Sequence, residues 1–266
     1  MRGGTKLTLW IRFDDAGREG FGTLDGSTIT VHDGEMFGAN AATGGQVALD
    51  AVRVLTPCRP SKMIALWNNF GQLAAKLGTT KPDHPLYLLK APTSFLAHGE
   101  PIRRPAAYSG KIVYEGELAI VIGRRVSNAT AADAAAAIFG YTCTNDVTAA
   151  DIINETPSFA QWVRAKSFDT FGVFGPVIAT GIDPLASSVR TTLNGAERQN
   201  YPLSDMFFPP VEIVSRISCD MTLEPGDIIC CGTSIGVGVM KDASNRIEIS
   251  IDGIGTLSNA FDQPVA

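Results

Sequence analysis

Histidine is scarce in this 266-residue chain: His32, His84 and His98 are the only three. They lie far apart, each beside a turn signal, so a histidine-rich zinc or iron centre has no support. Cysteine is nearly as sparse, with five residues at positions 58, 143, 219, 230 and 231. The count is odd and no Cys-x-x-Cys spacing occurs, which speaks against both a disulfide framework and a zinc site. Reduced, mostly buried thiols in a cytoplasmic protein are expected instead. No apolar run approaches the roughly 18 to 20 residues that span a bilayer, so no membrane partner is expected. Met1-Arg2-Gly3-Gly4 leads straight into a strand-like segment, with no signal-peptide pattern. With net charge −5 and no basic cluster, the chain is a poor partner for nucleic acid. It also lacks a Rossmann-type alternation and an internal repeat.

What is present is a globular composition, 45% hydrophobic and 18% charged, long enough to bury a large core. Short strands are expected at 6–12, 20–24 and 28–32, separated by turns at Asp14-Asp15-Ala16-Gly17 and Asp25-Gly26. They form a small N-terminal β-rich domain, residues 1–57, ahead of a larger domain, residues 58–266. In the larger domain Met63–Trp67 reads as a strand. Asn68-Asn69-Phe70 then reads as the cap of a helix through Leu77 that Gly78 stops. Leu86–Leu89 is strand-like. Ala131–Ile138 reads as a helix of strong formers with caps at Asn128–Thr130. Asn194-Gly195 marks a hairpin turn, and Met206–Ile217 reads as helical. The tally is mostly strand with few helices, a mixed-β (β-rich α+β) class.

One stretch carries the chemistry. Val113 to Ile122 reads as one buried strand, a run of branched apolar residues interrupted by Glu115 and Glu117. Side chains two apart on a strand share a face, so the two carboxylates are expected to point the same way. Gly116 between them leaves room for something to pack closely on the other face. Two carboxylates on one buried face repel each other and lose hydration unless a counter-charge neutralises them. A hard divalent cation does so, and the stretch therefore reads as half of a metal site. The alternative is an edge strand with two solvated glutamates, which the apolar flanks disfavour. Asp146, where a strand ends, is the third acidic candidate.

The segments Gly140-Tyr141-Thr142-Cys143-Thr144-Asn145-Asp146-Val147-Thr148-Ala149, Lys166-Ser167-Phe168-Asp169-Thr170-Phe171-Gly172 and Gly232-Thr233-Ser234-Ile235-Gly236-Val237-Gly238 follow Glu115-Gly116-Glu117. In this order and spacing they resemble the fumarylacetoacetate hydrolase superfamily over roughly residues 60–260. The resemblance implies a β-roll or sandwich, and the N-terminal unit is similar to the small leading domain of bacterial members. It implies that Glu115, Glu117 and Asp146 ligate Mg²⁺, with Mn²⁺ or Ca²⁺ as substitutes. Lys166 is then the catalytic cation, against the alternative of a surface lysine. Thr233 in the glycine-rich loop is a candidate for holding a substrate anion, against a plain tight turn. Gln199 and Tyr141 are weaker substrate-contact candidates, and Thr170 a supporting residue behind the ligands.

The implied activity is metal-dependent chemistry on a small anionic 2-oxo acid or β-dicarbonyl compound, with C–C hydrolysis as the family default and a homodimer as the expected assembly. The chain departs from the hydrolytic pattern at one point that matters. Where many hydrolytic members carry Asn-Tyr-x-x-His, this sequence reads Asn69-Phe70-Gly71-Gln72-Leu73, and leucine cannot move a proton. An arginine is also missing at Ala150, and Ile153 stands where a glutamine is frequent. These losses favour isomerisation or decarboxylation, the homoprotocatechuate-type branch that the chain also resembles around Gly99-Glu100-Pro101-Ile102, and hydration of 2-hydroxydienoic or 2-oxo acids stands with them as an alternative. A catalytically reduced binding protein of the same fold is the remaining alternative. Gln72 and His98 are left as candidates to replace the histidine.

Overall fold

A computed structural model describes residues 6–263; the Met1–Gly4 lead lies outside the described residues. The chain begins with an antiparallel meander of β1 (Thr8–Asp15), β2 (Arg18–Asp25), β3 (Thr28–Gly34) and β4 (Asn40–Ala48). The short β5 (Arg53–Val54) returns to pair with β1. Next come β6 (Met63–Trp67), α1 (Gly71–Leu77), β7 (Leu86–Lys90), β8 (Phe95–Leu96), β9 (Ile112–Tyr114) and β10 (Gly116–Ile122). After α2 (Ala131–Ala137) the chain runs through β11 (Ile138–Asp146), β12 (Thr148–Ala149), α3 (Trp162–Lys166) and β13 (Gly172–Thr180). The hairpin of β14 (Ser188–Leu193) and β15 (Ala196–Pro202) follows, then α4 (Pro210–Asp220). The last strands are β16 (Ile228–Cys230), β17 (Gly238–Val239), β18 (Ser244–Ile251) and β19 (Gly255–Asp262).

These strands make three sheets. The largest runs β4-β3-β2-β1-β13-β11-β10-β16-β6-β7, so the N-terminal meander continues into it through the β1–β13 pair. A four-stranded sheet, β15-β14-β18-β19, packs over β10, β11 and β13. A three-stranded sheet, β12-β9-β17, completes the set, and the whole is the expected mixed-β architecture. Every residue of β10 is buried, which is why its sequence shows no polar alternation after Glu117.

Several local expectations are met for the stated reasons. Gly78 adopts φ 69° and closes α1, as a left-handed cap requires. Thr130 caps α2 by accepting the Asp133 N–H at 3.2 Å. Asn194 and Gly195 both take positive φ, 53° and 76°, and turn the β14–β15 hairpin.

Other expectations are corrected. Val113–Ile122 is two strands, not one: the chain leaves the three-stranded sheet after Tyr114 and enters the large sheet at Gly116. Glu115 sits at the switch, where its N–H donates to Asn145 Oδ1 at 3.0 Å. Its carbonyl accepts the Asp146 N–H at 2.9 Å. The α1 cap is Phe70, with no side-chain bond of its own. Asp205 Oδ2, from a distant turn, accepts the Gln72 N–H at 2.9 Å instead. Asn69 is spent on the Phe208 and Cys231 carbonyls and on the Phe208 N–H. The last helix begins at Pro210, four residues later than expected. Pro210 biases Pro209 away from the helical region and is itself suited to a first helical position.

Asp227 fastens the parallel β6–β16 pair. It is fully buried and accepts from Ser61 N at 3.1 Å, Ser61 Oγ at 2.6 Å, Lys62 N at 3.2 Å, Lys62 Nζ at 2.5 Å and Glu224 N at 2.8 Å. Asp227→Ala strands these donors, and an unfolding free energy lower by about 3 kcal/mol is expected in urea titration. A change under about 0.5 kcal/mol, the range of an ordinary surface substitution, would show that the network carries no stability.

Cys58, Cys143, Cys230 and Cys231 are buried and Cys219 is exposed; none is in a disulfide. Burial pushes the Cys143 thiol up to about 12 and raises the other three buried thiols as well. The buried four are therefore inert core residues at neutral pH.

Candidate metal centre

Glu115 at the sheet switch, Glu117 on β10 and Asp146 at the end of β11 converge. Each offers a carboxylate oxygen, and these lie within 4.8 Å of one another. The β10–β11 register explains the meeting: Gly116 pairs with Asn145, which sets Asp146 beside Glu115. Such spacing suits oxygens on a common divalent cation, since bonds of roughly 2.1 to 2.5 Å put opposite ligands about 4 to 5 Å apart.

The surrounding groups test that fit. Lys166 Nζ, at the end of α3, reaches Glu115 Oε2 at 3.0 Å and Asp146 Oδ2 at 2.5 Å. Lys90, the last residue of β7, donates to Asp146 Oδ1 from a wholly buried position. Thr148 Oγ1 donates to Glu115 Oε1 at 2.7 Å, and Gly232 N–H to Glu117 Oε2 at 2.9 Å. Glu117 Oε1 is buried with no hydrogen-bond partner. An orphaned carboxylate oxygen at the centre of an all-oxygen donor set is what a hard cation would satisfy, so these residues fit one.

The charges are strongly interdependent. Burial pushes the Glu117 carboxyl well above its usual range, and the neighbouring Asp146 and Glu115 push it further. Burial acts on Asp146 in the same sense, but Lys166 and Lys90 outweigh it and hold that carboxyl below its usual value. Burial alone would lower the Lys166 ammonium; the charges of Asp146, Glu115 and Glu117 overcome it, and the group stays protonated. Three carboxylates and two lysines sum to −1, so a divalent cation brings the centre to +1. That sign attracts an anion.

A cavity of about 210 Å³ opens over the centre, with Glu115, Lys166 and Thr233 at its polar end. The rest of its lining is apolar apart from Asn68 and includes Trp67, Leu73, Ile153 and Trp162. Leu73 thus faces the cavity, at the position where the hydrolytic pattern has histidine.

The glycine-rich loop is held from below. Thr233 Oγ1 donates to the Gly116 carbonyl at 3.1 Å and accepts from Gln199 Nε2 at 2.9 Å. Gln199 Oε1 accepts the Gly116 N–H at 2.9 Å, and Tyr201 Oη donates to the Gly116 carbonyl at 2.6 Å. Gln199 is buried and fully engaged in this network, which makes it a positioning residue for the loop.

The structure leaves some expected residues apart from the centre. Tyr141 sits on β11 opposite Ile120 and Ala179, packed against the core and outside the cavity wall. Thr170, in a left-handed conformation at φ 73°, accepts the Arg103 N–H at 2.8 Å. His98 Nδ1 accepts the Ser258 N–H at 3.1 Å, and neither His98 nor Gln72 lines the cavity. Lys90 is the main residue that the sequence did not bring forward. Its one signal was a lone lysine closing the apolar run Leu86-Tyr87-Leu88-Leu89. Tyr201, Thr148, Trp67 and Trp162 gave none.

A β-roll of this kind around a carboxylate–lysine centre defines a family. Residues 62–262 match the description fumarylacetoacetate (FAA) hydrolase C-terminal, and residues 9–57 match Rv2993c-like, N-terminal. The chain belongs to the fumarylacetoacetate hydrolase family.

Among particular relatives, it is 34% identical over 264 residues to the oxaloacetate tautomerase YisK of Bacillus subtilis, covering 89% of this chain and 87% of that one. The structure of 2-hydroxyhepta-2,4-diene-1,7-dioate isomerase from Mycobacterium marinum superposes with a TM-score of 0.87 at 36% identity, covering 97% of this chain and 100% of the other. Maleylpyruvate hydrolase from Sphingobium sp. SYK-6, solved with manganese(II) and pyruvate, gives 0.77 at 25% identity over 96% and 99%. No helix among the described residues is long and apolar enough to cross a membrane.

Proposed function

We propose that this chain is a divalent-metal-dependent enzyme that interconverts keto and enol forms of a 2-oxo acid or β-dicarbonyl compound. The observation that carries this reading is the cavity itself. Its titratable groups are the Glu115 carboxylate and the Lys166 ammonium, and the wall facing them offers no acid or base. His32 is bonded to Asn40, His98 to Ser258, and His84 lies beside Arg216 and Asp220. A keto–enol step needs a stabilised enolate and a proton carried from the enol oxygen and returned to C3, which a bound water can do, whereas hydrolysis also needs a water activated to attack the carbonyl carbon.

A cation held by Glu115, Glu117 and Asp146 would supply Lewis-acid stabilisation of the enolate oxygen; Mg²⁺ is the proposed ion, with Mn²⁺ or Ca²⁺ as substitutes. Lys166, fixed by Asp146 and Glu115, places a second positive charge at the same end of the cavity. Lys90 holds Asp146 in place from the buried side. The Thr233 loop, braced by Gln199 and Tyr201, orients the substrate carboxylate. The apolar wall excludes bulk water and strengthens these charges.

C–C hydrolysis is the second reading, favoured by the likeness to maleylpyruvate hydrolase. The two separate on one comparison. Magnesium-supplemented protein is assayed for ketonisation of enol-oxaloacetate and for hydrolysis of acylpyruvates, as wild type and as Leu73→His. The expected result is fast ketonisation by both proteins, with hydrolysis raised about tenfold or more only in the variant. Wild-type hydrolysis outrunning ketonisation would overturn the first reading.

A further inference from the structure

We infer that the acid taken by this site carries an uncharged, apolar tail past C4, where a diacid longer than oxaloacetate would carry its second carboxylate. The inference rests on the 2-oxo acid reading above and specifies the substrate class within it.

The cavity is amphipathic from end to end. Glu115, Lys166 and Thr233 stand at the polar end, where the 2-oxo acid group would sit. Beyond them the wall is Trp67, Leu73, Leu77, Ile153, Trp162 and Val237. The Trp67 and Trp162 rings contact each other, with centroids 5.7 Å apart and planes tilted by 47°, and form one apolar side. The remaining polar wall residue is Asn68, and its amide is already used. Its Nδ2 donates to the Thr80 carbonyl at 2.9 Å, and its Oδ1 accepts from Thr79 Oγ1 at 2.9 Å. Arg164 of α3 is paired with Glu155 and does not line the cavity. Lys76 of α1 is exposed and also outside the wall.

A carboxylate carried past C4 would therefore lose water and gain no counter-charge in return, with nothing stronger than neutral N–H donors on that wall. An apolar tail in the same place keeps its contacts and sheds ordered water. The Mycobacterium marinum relative is named for a 1,7-diacid, whose far carboxylate would find no counter-charge on this wall. Leu73 and its neighbours on α1 are the specificity-determining surface.

Two six-carbon probes isolate the tail, because 2-oxohexanoate and 2-oxoadipate differ only in a terminal methyl or carboxylate. Exchange of the C3 protons is followed by proton NMR in D₂O with magnesium, and binding of each acid by calorimetry on the same protein. Expected are a kcat/KM for exchange and an affinity each about thirtyfold higher for 2-oxohexanoate. Leu73→Arg, which places a cation in the apolar wall, should reverse the order in both measurements. Equal or tighter binding of 2-oxoadipate by the wild type overturns the inference while leaving the keto–enol reading intact. Absence of exchange with either acid, alongside a binding preference for 2-oxohexanoate, overturns the keto–enol reading and supports the assignment of the tail.

Discussion

Glu117→Gln abolishes divalent-cation binding, lowers turnover by about a thousandfold, and makes the metal-free protein more stable than the wild type. The combination follows from where Glu117 sits. It is wholly buried, its Oε1 has no partner, and Asp146 and Glu115 face it with like charge. Without a cation, its ionised form is a burden on the fold. The carboxyl is raised above its ordinary 4.5 in the native state, so the native protein binds more protons than the unfolded chain at higher pH. The contribution of Glu117 to stability is thus full below pH 4.5 and is lost as pH rises through the native value. Glutamine keeps the shape and can retain the Gly232 N–H bond through its carbonyl, but carries no charge to repel. Thermal melts of metal-free protein at pH 5 and pH 8 should show the wild type falling and the variant holding. Addition of magnesium should raise the melting temperature of the wild type only. A variant that still gains stability from magnesium would remove Glu117 from the ligand set.

Gly116→Ala has the second large effect, and it arises from space. A Cβ built there lies 2.1 Å from Thr191 Oγ1, 3.0 Å from Ile249 Cγ1 and 3.1 Å from Gln199 Oε1. All three neighbours are buried and cannot swing clear. The methyl group forces β10 away from the four-stranded sheet at the residue between two metal-site glutamates. It also strains the bonds that Gln199, Thr233 and Tyr201 make to Gly116. A stability loss of roughly 3 kcal/mol is expected from overpacking. Turnover should drop about a hundredfold from misplaced groups. Combining it with Thr191→Ala removes the closest contact and should restore at least half of the lost stability. No recovery in the double variant would show that the backbone, not the packing, is what the glycine serves.

The parts of the molecule governed by local chemistry were readable from the residues. Met63–Trp67 is a strand, Gly78 ends α1, and Asn194-Gly195 turns a hairpin because each depends on neighbours in sequence. The carboxylates, Lys166 and Thr233 were readable for a different reason: their motifs are short, ordered and chemically unusual on apolar strands. Lys90 was hidden because its partner Asp146 lies 56 residues away and a terminal strand lysine normally faces water. The sheet switch at Glu115 was hidden because both of its halves are apolar and extended, and periodicity cannot tell which sheet a strand joins. The bonds that tie Gln199 to Gly116 and Thr233 were not legible in sequence, since only the folded loop brings those groups together.

The pairing of β1 with β13 gives the first fifty-odd residues a part beyond their own meander. Thr8, Leu9 and Trp10 cover Thr180, Ala179 and Ile178, so the leading segment acts as a selvedge that keeps the great sheet from fraying. A chain shortened at residue 57 would leave that apolar margin with open N–H and C=O groups, ready to be hemmed by another molecule's strand.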